Sequence, residues 1–206
     1  FDANIIFPEN YLEKIKEDYE KNPKAGMVSG LVYIKKGFDS AQPDKKDFTT
    51  SQLYDFTHQN EWTFENLSSK NHVRGPIKSY RKELFLKMNG LRAVLGWDNI
   101  DVMLCKMHGF ETVTLQELWV KHLRPTAYKY KSQKAEKLGE YFYNIGLNFP
   151  LAAISSAKSS WKNKSVSEFF ITMKSFLKQK NPRVLSQEEI AFIRNLRWME
   201  IKRKLM

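Results

Sequence analysis

One cysteine, Cys105, in 206 residues excludes an intrachain disulfide framework. No Cys/His cluster carries zinc-ligand spacing, so a reducing compartment, most simply the cytoplasm, is expected. The longest uncharged run, Tyr141 to Ala157, holds Asn144, Asn148 and Pro150. It falls short of the roughly 20 mostly apolar residues that a membrane-crossing helix needs. No positively charged leader with an apolar core opens the chain, and residue 1 is Phe rather than Met, so a start inside a longer protein is expected. Internal repeats and low-complexity tracts are absent. So are a phosphate-cradling glycine loop and a dense carboxylate cluster, which argues against a metal-dependent phosphatase or nucleotidyltransferase.

What is present fits an ordered protein of one sizeable domain, or a compact domain with a helical appendage. Apolar residues make up 42% and aromatics 14%, the latter enough to suggest stacking surfaces or an interfacial role. The net charge of +11 is unevenly spread: residues 126–206 hold 16 Lys/Arg against 6 Asp/Glu, whereas residues 1–125 are close to neutral. A near-neutral first part suits a catalytic domain. The basic, apolar-rich tail suits an anionic surface, either a membrane or a nucleic acid.

Periodicity predicts a strand end over residues 1–7, then a helix in which Tyr11, Leu12, Ile15 and Tyr19 share helical spacing before Asn22-Pro23. A strand is expected over 25–36 and a loop over 36–50. The aromatic segment 53–71 shows no clear period and reads as irregular or weakly helical. A short strand over 77–80 leads to a helix over 81–88. A second helix follows Asp98, with Ile100, Leu104 and Met107 on one face, and Gly109 ends it before a strand over 110–115. Beyond Pro125 the pattern is mostly helical, with capping boxes predicted at Ser165-x-x-Glu168 and Ser186-x-x-Glu189.

Several residues could carry chemistry. Asp2-Ala3-Asn4 at a strand end offers two side-chain oxygens to a hard divalent cation, or two acceptors to a turn. Asp98, at a helix start, reads either as an N-cap with Asp101 as its third-position partner, or as a carboxylate placed to take a proton from a hydroxyl, with Trp97 stacking on a sugar face. His122 offers an imidazole to the same cation or has a purely structural role. His58, His72 and His108 read as surface or locally satisfied residues.

In order and spacing these pieces resemble family 2 glycosyltransferases of the GT-A fold. The run is Asp2-Ala3-Asn4-Ile5-Ile6-Phe7-Pro8, Arg74-Gly75-Pro76-x-x-x-Tyr80-Arg81-Lys82-Glu83, Asn89-Gly90-Leu91, Gly96-Trp97-Asp98-x-x-Asp101, Gly109-Phe110 and His122-x-Arg124-Pro125. The resemblance spans essentially the whole chain. It implies a truncated GT-A-like mixed α/β sheet with flanking helices over 1–125, and a basic helical extension over 126–206.

It further implies that Asp2 and Asn4 form the Asp-x-Asp metal motif, with Asn in place of the second Asp, and that His122 completes the site for Mn²⁺ or Mg²⁺. Asp98 matches the catalytic base, and Trp97 stands where a Glu is usual. Arg74, Gly75, Tyr80, Arg81, Trp97 and Asp101 become candidate substrate contacts, although Arg81 also reads as a surface charge. The implied reaction is inverting transfer from a nucleotide-sugar donor to a carbohydrate or lipid-linked hydroxyl acceptor.

The base-reading half of that fold precedes the Asp-x-Asp strand. The chain as given is therefore expected to be a fragment with negligible transferase activity and weak nucleotide affinity. The tail either lies on the inner face of a membrane as a peripheral anchor or packs on the domain with a solvated basic face. The competing non-catalytic reading is a basic module for nucleic acid or a membrane surface. Nucleic acid is not the expected partner, because that reading leaves Asp2, Asp98 and His122 unused.

Overall fold

The computed structural model describes residues 4–36, 55–57, 59–67, 69–123 and 133–205. Within them a mixed sheet of five strands and seven α-helices form two compact units. One unit comprises Phe1–Asn89 with His108–Lys129, the other Gly90–Met107 with Tyr130–Met206. The segment Gly90–Met107 thus joins the C-terminal helices, where the sequence alone suggested a single division at residue 125. Asp2 and the expected loop over 37–50 lie outside the described residues.

The spine of the first unit is β2 (Ala25–Lys35), whose first eight residues are all buried. A strand covered on both faces loses the apolar/polar alternation of a half-exposed one, and Ala-Gly-Met-Val-Ser-Gly-Leu-Val has none. It runs parallel to β5 (Glu111–His122) and antiparallel to β3 (Trp62–Phe64) and β4 (Ser79–Tyr80). β1 (Ile5–Ile6) pairs antiparallel with the far edge of β5, giving the order β1-β5-β2-β3. Two sequence expectations need correction. The region read as irregular holds a 3₁₀ turn at Gln59–Glu61 followed by β3, and a three-residue strand is too short to show a period. The strand expected over 110–115 continues to His122, with a shift in its register against β2 between Thr114 and Trp119.

Helix α1 (Tyr11–Lys21) covers the sheet with Tyr11 and Ile15, which join Ile5, Val28, Val32 and Val120 in the core. The Tyr11 hydroxyl accepts from Gly30 N–H at 3.1 Å and donates to the Ile77 carbonyl at 3.2 Å. Burial, the largest influence, pushes the Tyr11 phenol up from 10.0 to about 12, the Gly30 bond opposing it and nearby Tyr19 adding to it. A pKa raised by folding stabilises below the unfolded value and is lost as pH climbs through the folded one. Tyr11 should therefore contribute fully below pH 10 and cost the fold about 2–3 kcal/mol of that stability between pH 10 and 12. Urea denaturation of wild type and Tyr11→Phe across this range checks it. The variant should lose about 1–3 kcal/mol at neutral pH, where Gly30 N–H and Ile77 C=O are left unpaired, and the gap should shrink above pH 10.

The first unit also holds α2 (Lys82–Lys87). The second contains α3 (Trp97–Met107), α4 (Lys134–Asn144), α5 (Phe149–Lys162), α6 (Val166–Lys178) and α7 (Gln187–Leu205). The long uncharged run breaks between α4 and α5: Gly146 takes φ +82°, and the Asn148 side chain caps α5 by accepting from Leu151 N–H. Gly139 on α4 lets the α6 backbone come close, since a β-carbon there would strike the Thr172 carbonyl. The capping box at Ser186 forms, with Ser186 N–H donating to Glu189 at 2.7 Å and Glu189 N–H to the Ser186 hydroxyl at 3.1 Å. The one expected at Ser165 does not. Asn163 takes the Glu168 carboxylate at 2.7 Å, and the Ser165 hydroxyl turns to Ser167. No helix among the described residues is long and apolar enough to cross a membrane.

Candidate functional site

Near the C-terminal end of β5, alternation sends consecutive residues to opposite faces of the sheet. Lys121 is fully buried, its ammonium lying over the Phe56 and Trp62 rings and donating to the Asp55 carbonyl. Desolvation holds that ammonium below the usual lysine range, with Asp55 and Glu61 opposing the shift and Lys35 adding to it. His122, next along the strand, meets Glu65 instead.

The Glu65 carboxylate organises this end of the unit. Its Oε2 accepts from Arg74 Nη2 at 2.8 Å and from His122 Nδ1 at 3.2 Å, while Arg74 Nη1 donates to the Glu65 carbonyl at 3.1 Å. All three residues are buried. Each arrives on a different element: Glu65 just past β3, its N–H bonded to the Val32 carbonyl, Arg74 immediately before the 3₁₀ turn Gly75–Ile77, and His122 at the end of β5. A buried guanidinium and carboxylate offset each other's desolvation only with close, multiple hydrogen bonds, and this pair has them.

A carboxylate on Nδ1 fixes the imidazole tautomer: in the neutral ring Nδ1 carries the proton and Nε2 presents its lone pair. Among the described residues the His122 ring forms its hydrogen bond through Nδ1 alone. A ring held this way can offer Nε2 to a cation or an acidic proton. The pairing of β1 with β5 brings Asn4 to the same place, its carbonyl accepting from Leu123 N–H at 2.9 Å, with Ile5 opposite His122. Among the described residues no three His, Cys, Asp or Glu side chains form a metal-binding group.

Other expected contacts of the first unit have structural partners. Arg81 donates to the carbonyls of Ala25 at 2.7 Å, Tyr19 at 2.9 Å and Asn22 at 3.0 Å, and lies over the Tyr19 ring. The guanidinium thus satisfies carbonyls at the end of α1 and the start of β2, so the half-buried Arg81 is more than the surface charge it could have been. Gly75 opens the 3₁₀ turn, and half-buried Tyr80 in β4 stands edge-on to Phe85 at 5.8 Å.

Trp97, Asp98 and Asp101 belong to the second unit. The Asp98 cap reading requires correction. Gly96, at φ +96°, supplies the first carbonyl of α3 to Asn99 N–H at 2.9 Å and Ile100 N–H at 3.0 Å, so Gly96 holds the cap position and Asp98 stands inside the first turn. Asp101 is buried, and its carboxylate accepts from Val102 N–H at 2.6 Å. Gly96 also allows the Tyr141 ring to press on this turn, since a β-carbon would lie 2.5 Å from it. Burial raises the Tyr141 phenol; Arg197 opposes the shift through its charge and a hydrogen bond, and the Asp98 and Glu200 charges add to it. Asp98 therefore sits within electrostatic reach of the half-buried Tyr141, which also feels the charge of Arg197 on α7.

Glu65 is the residue that sequence reasoning missed. It follows a strand too short to announce itself, and its partners lie 9 and 57 positions away. The one local signal is an acid directly after the β-favouring Trp-Thr-Phe. No known protein-family model matches the chain, and no curated protein matches it.

Proposed function

We propose that this chain is the acceptor-side part of an inverting, metal-assisted glycosyltransferase that moves a sugar from a nucleotide-sugar to a hydroxyl acceptor. The observation that carries the reading is the His122 imidazole at the end of β5, held at Nδ1 by buried Glu65 and one residue from the Leu123–Asn4 backbone bond. That is the preparation a metal-ligating histidine needs, because the second nitrogen is oriented and its tautomer set.

His122 Nε2, the Asn4 side-chain oxygen and the Asp2 carboxylate would hold a divalent cation such as Mn²⁺ or Mg²⁺, hard oxygen donors with one imidazole. When bound, it supplies positive charge against the nucleoside diphosphate as that group departs. Asp98 takes the proton from the acceptor hydroxyl. The acceptor oxygen bonds to the anomeric carbon as the bond from that carbon to the diphosphate oxygen breaks. Trp97, on the preceding residue, offers a ring to the acceptor sugar.

Manganese titration followed by electron paramagnetic resonance, with and without a nucleoside diphosphate, tests the site directly. Wild type should bind the ion, and His122→Ala should weaken binding by about tenfold or more. In a chain that also carries the donor-binding half, assays of diphosphate release from a panel of nucleotide-sugars should then show turnover that EDTA abolishes. Equal manganese affinity in wild type and His122→Ala would remove the reading.

A further inference from the structure

The turn joining α5 to α6 gathers large apolar side chains that the rest of the second unit does not cover. Trp161 is 88% exposed, Val166 74% and Phe170 65%. Beside them lies an open, mostly apolar depression of about 560 Å³ whose lining includes Ala157, Trp161, Lys164, Ser165, Val166 and Phe169. The inward faces of both helices are already filled, with Leu151, Ala152, Ser156 and Ser160 of α5 and Thr172, Met173 and Phe176 of α6 buried. The outward cluster is therefore surplus to the packing.

It is also held firmly. Asn163 N–H donates to Ser159, Lys164 N–H to Trp161 and Ser165 N–H to Ser160, at 3.0, 3.1 and 3.0 Å, and Lys164 takes the left-handed φ of +52° that this reversal requires.

Around the cluster stand three exposed cations, Lys158, Lys162 and Lys164. The acid nearest in sequence, Glu168, is bonded to Asn163. We infer that this turn is the contact point with an anionic phospholipid bilayer: Trp161, Val166 and Phe170 enter the headgroup boundary, and the lysines extend their ammonium groups to lipid phosphates. Tryptophan and lysine together fit a water–lipid interface, where one takes the apolar side and the other snorkels. A protein partner fits less well, because lysine is depleted at the cores of protein interfaces. A second copy would set the same three lysines against one another. The inference does not depend on the transferase reading.

Flotation of the full chain with vesicles tests it, using phosphatidylcholine alone or with about one third phosphatidylglycerol. Wild type should bind the anionic vesicles at low salt, release at high salt and ignore the neutral ones. Trp161→Ser should weaken binding about tenfold. Joint replacement of Lys158, Lys162 and Lys164 by Gln should weaken it on the order of a hundredfold. Removing the same charge from α1, with Lys14, Lys16 and Lys21 changed to Gln, should have a much smaller effect.

Because the replaced side chains are exposed, or in Lys14 partly so, circular dichroism melting should show all variants folded. Absence of binding by wild type at low salt would overturn the inference. So would equal losses from the α1 and turn variants, or concentration-dependent self-association that Trp161→Ser abolishes while vesicles are ignored.

Discussion

In a chain that also carries the donor-binding half, replacing Asp98 with Asn should lower kcat for sugar transfer by about 10²–10⁴-fold, the range supplied by a positioned general base. The donor KM should hardly move, because the proton is transferred only in the transition state. The structure separates this outcome from a purely structural one. Gly96, not Asp98, supplies the cap carbonyl of α3, so Asp98→Asn leaves the cap bonds in place and removes a first-turn charge whose interaction with the helix dipole is worth about 0.3–1 kcal/mol. Thermal melting and steady-state kinetics on one preparation distinguish the two. A variant with nearly full turnover and a slightly lowered Tm would show that Asp98 supports the helix and nothing more.

The largest effect on stability should come from Glu65. Glu65→Leu leaves the buried Arg74 guanidinium without its carboxylate, and breaking a buried pair by removing one partner costs about 3–5 kcal/mol. Urea denaturation measures this. Arg74→Met in the Glu65→Leu background should recover much of the loss, since no charge is then buried alone. Glu65→Gln is the milder probe. It keeps an oxygen for Arg74 but no longer presents a carboxylate to His122 Nδ1, and should weaken manganese binding about 10–100-fold if the imidazole is a ligand. Unchanged manganese affinity with lowered stability would confine Glu65 to a structural role.

Legibility in the sequence followed the range of each interaction. Tyr11 and Ile15, four residues apart, announced the buried face of α1. Of two identical-looking capping boxes, the one at Ser186 formed and the one at Ser165 did not. The difference is Asn163, two residues before Ser165, which reaches Glu168 first. A four-residue motif cannot register a competitor outside itself. The mixed α/β character was readable from alternating periods, whereas β3 was not, because its three residues are fixed by pairing with Tyr33, Ile34 and Lys35. His122 was visible as a candidate. Its holder Glu65 was invisible, because only the folded sheet makes the two neighbours.

The membership of α3 in the C-terminal unit bears on how the protein is made. Arg92, in the segment leading into α3, pairs with Glu189 at 2.7 Å, and Tyr141, against the first turn of α3, feels the charge of Arg197. A ribosome delivers Asp98 about a hundred residues before Arg197, and at roughly 5–20 residues per second several seconds separate the two. Throughout that interval Asp98 exists without its surroundings. A stop codon near residue 186 would spare every motif of the first 125 residues and still produce a chain in which Asp98 never acquires them.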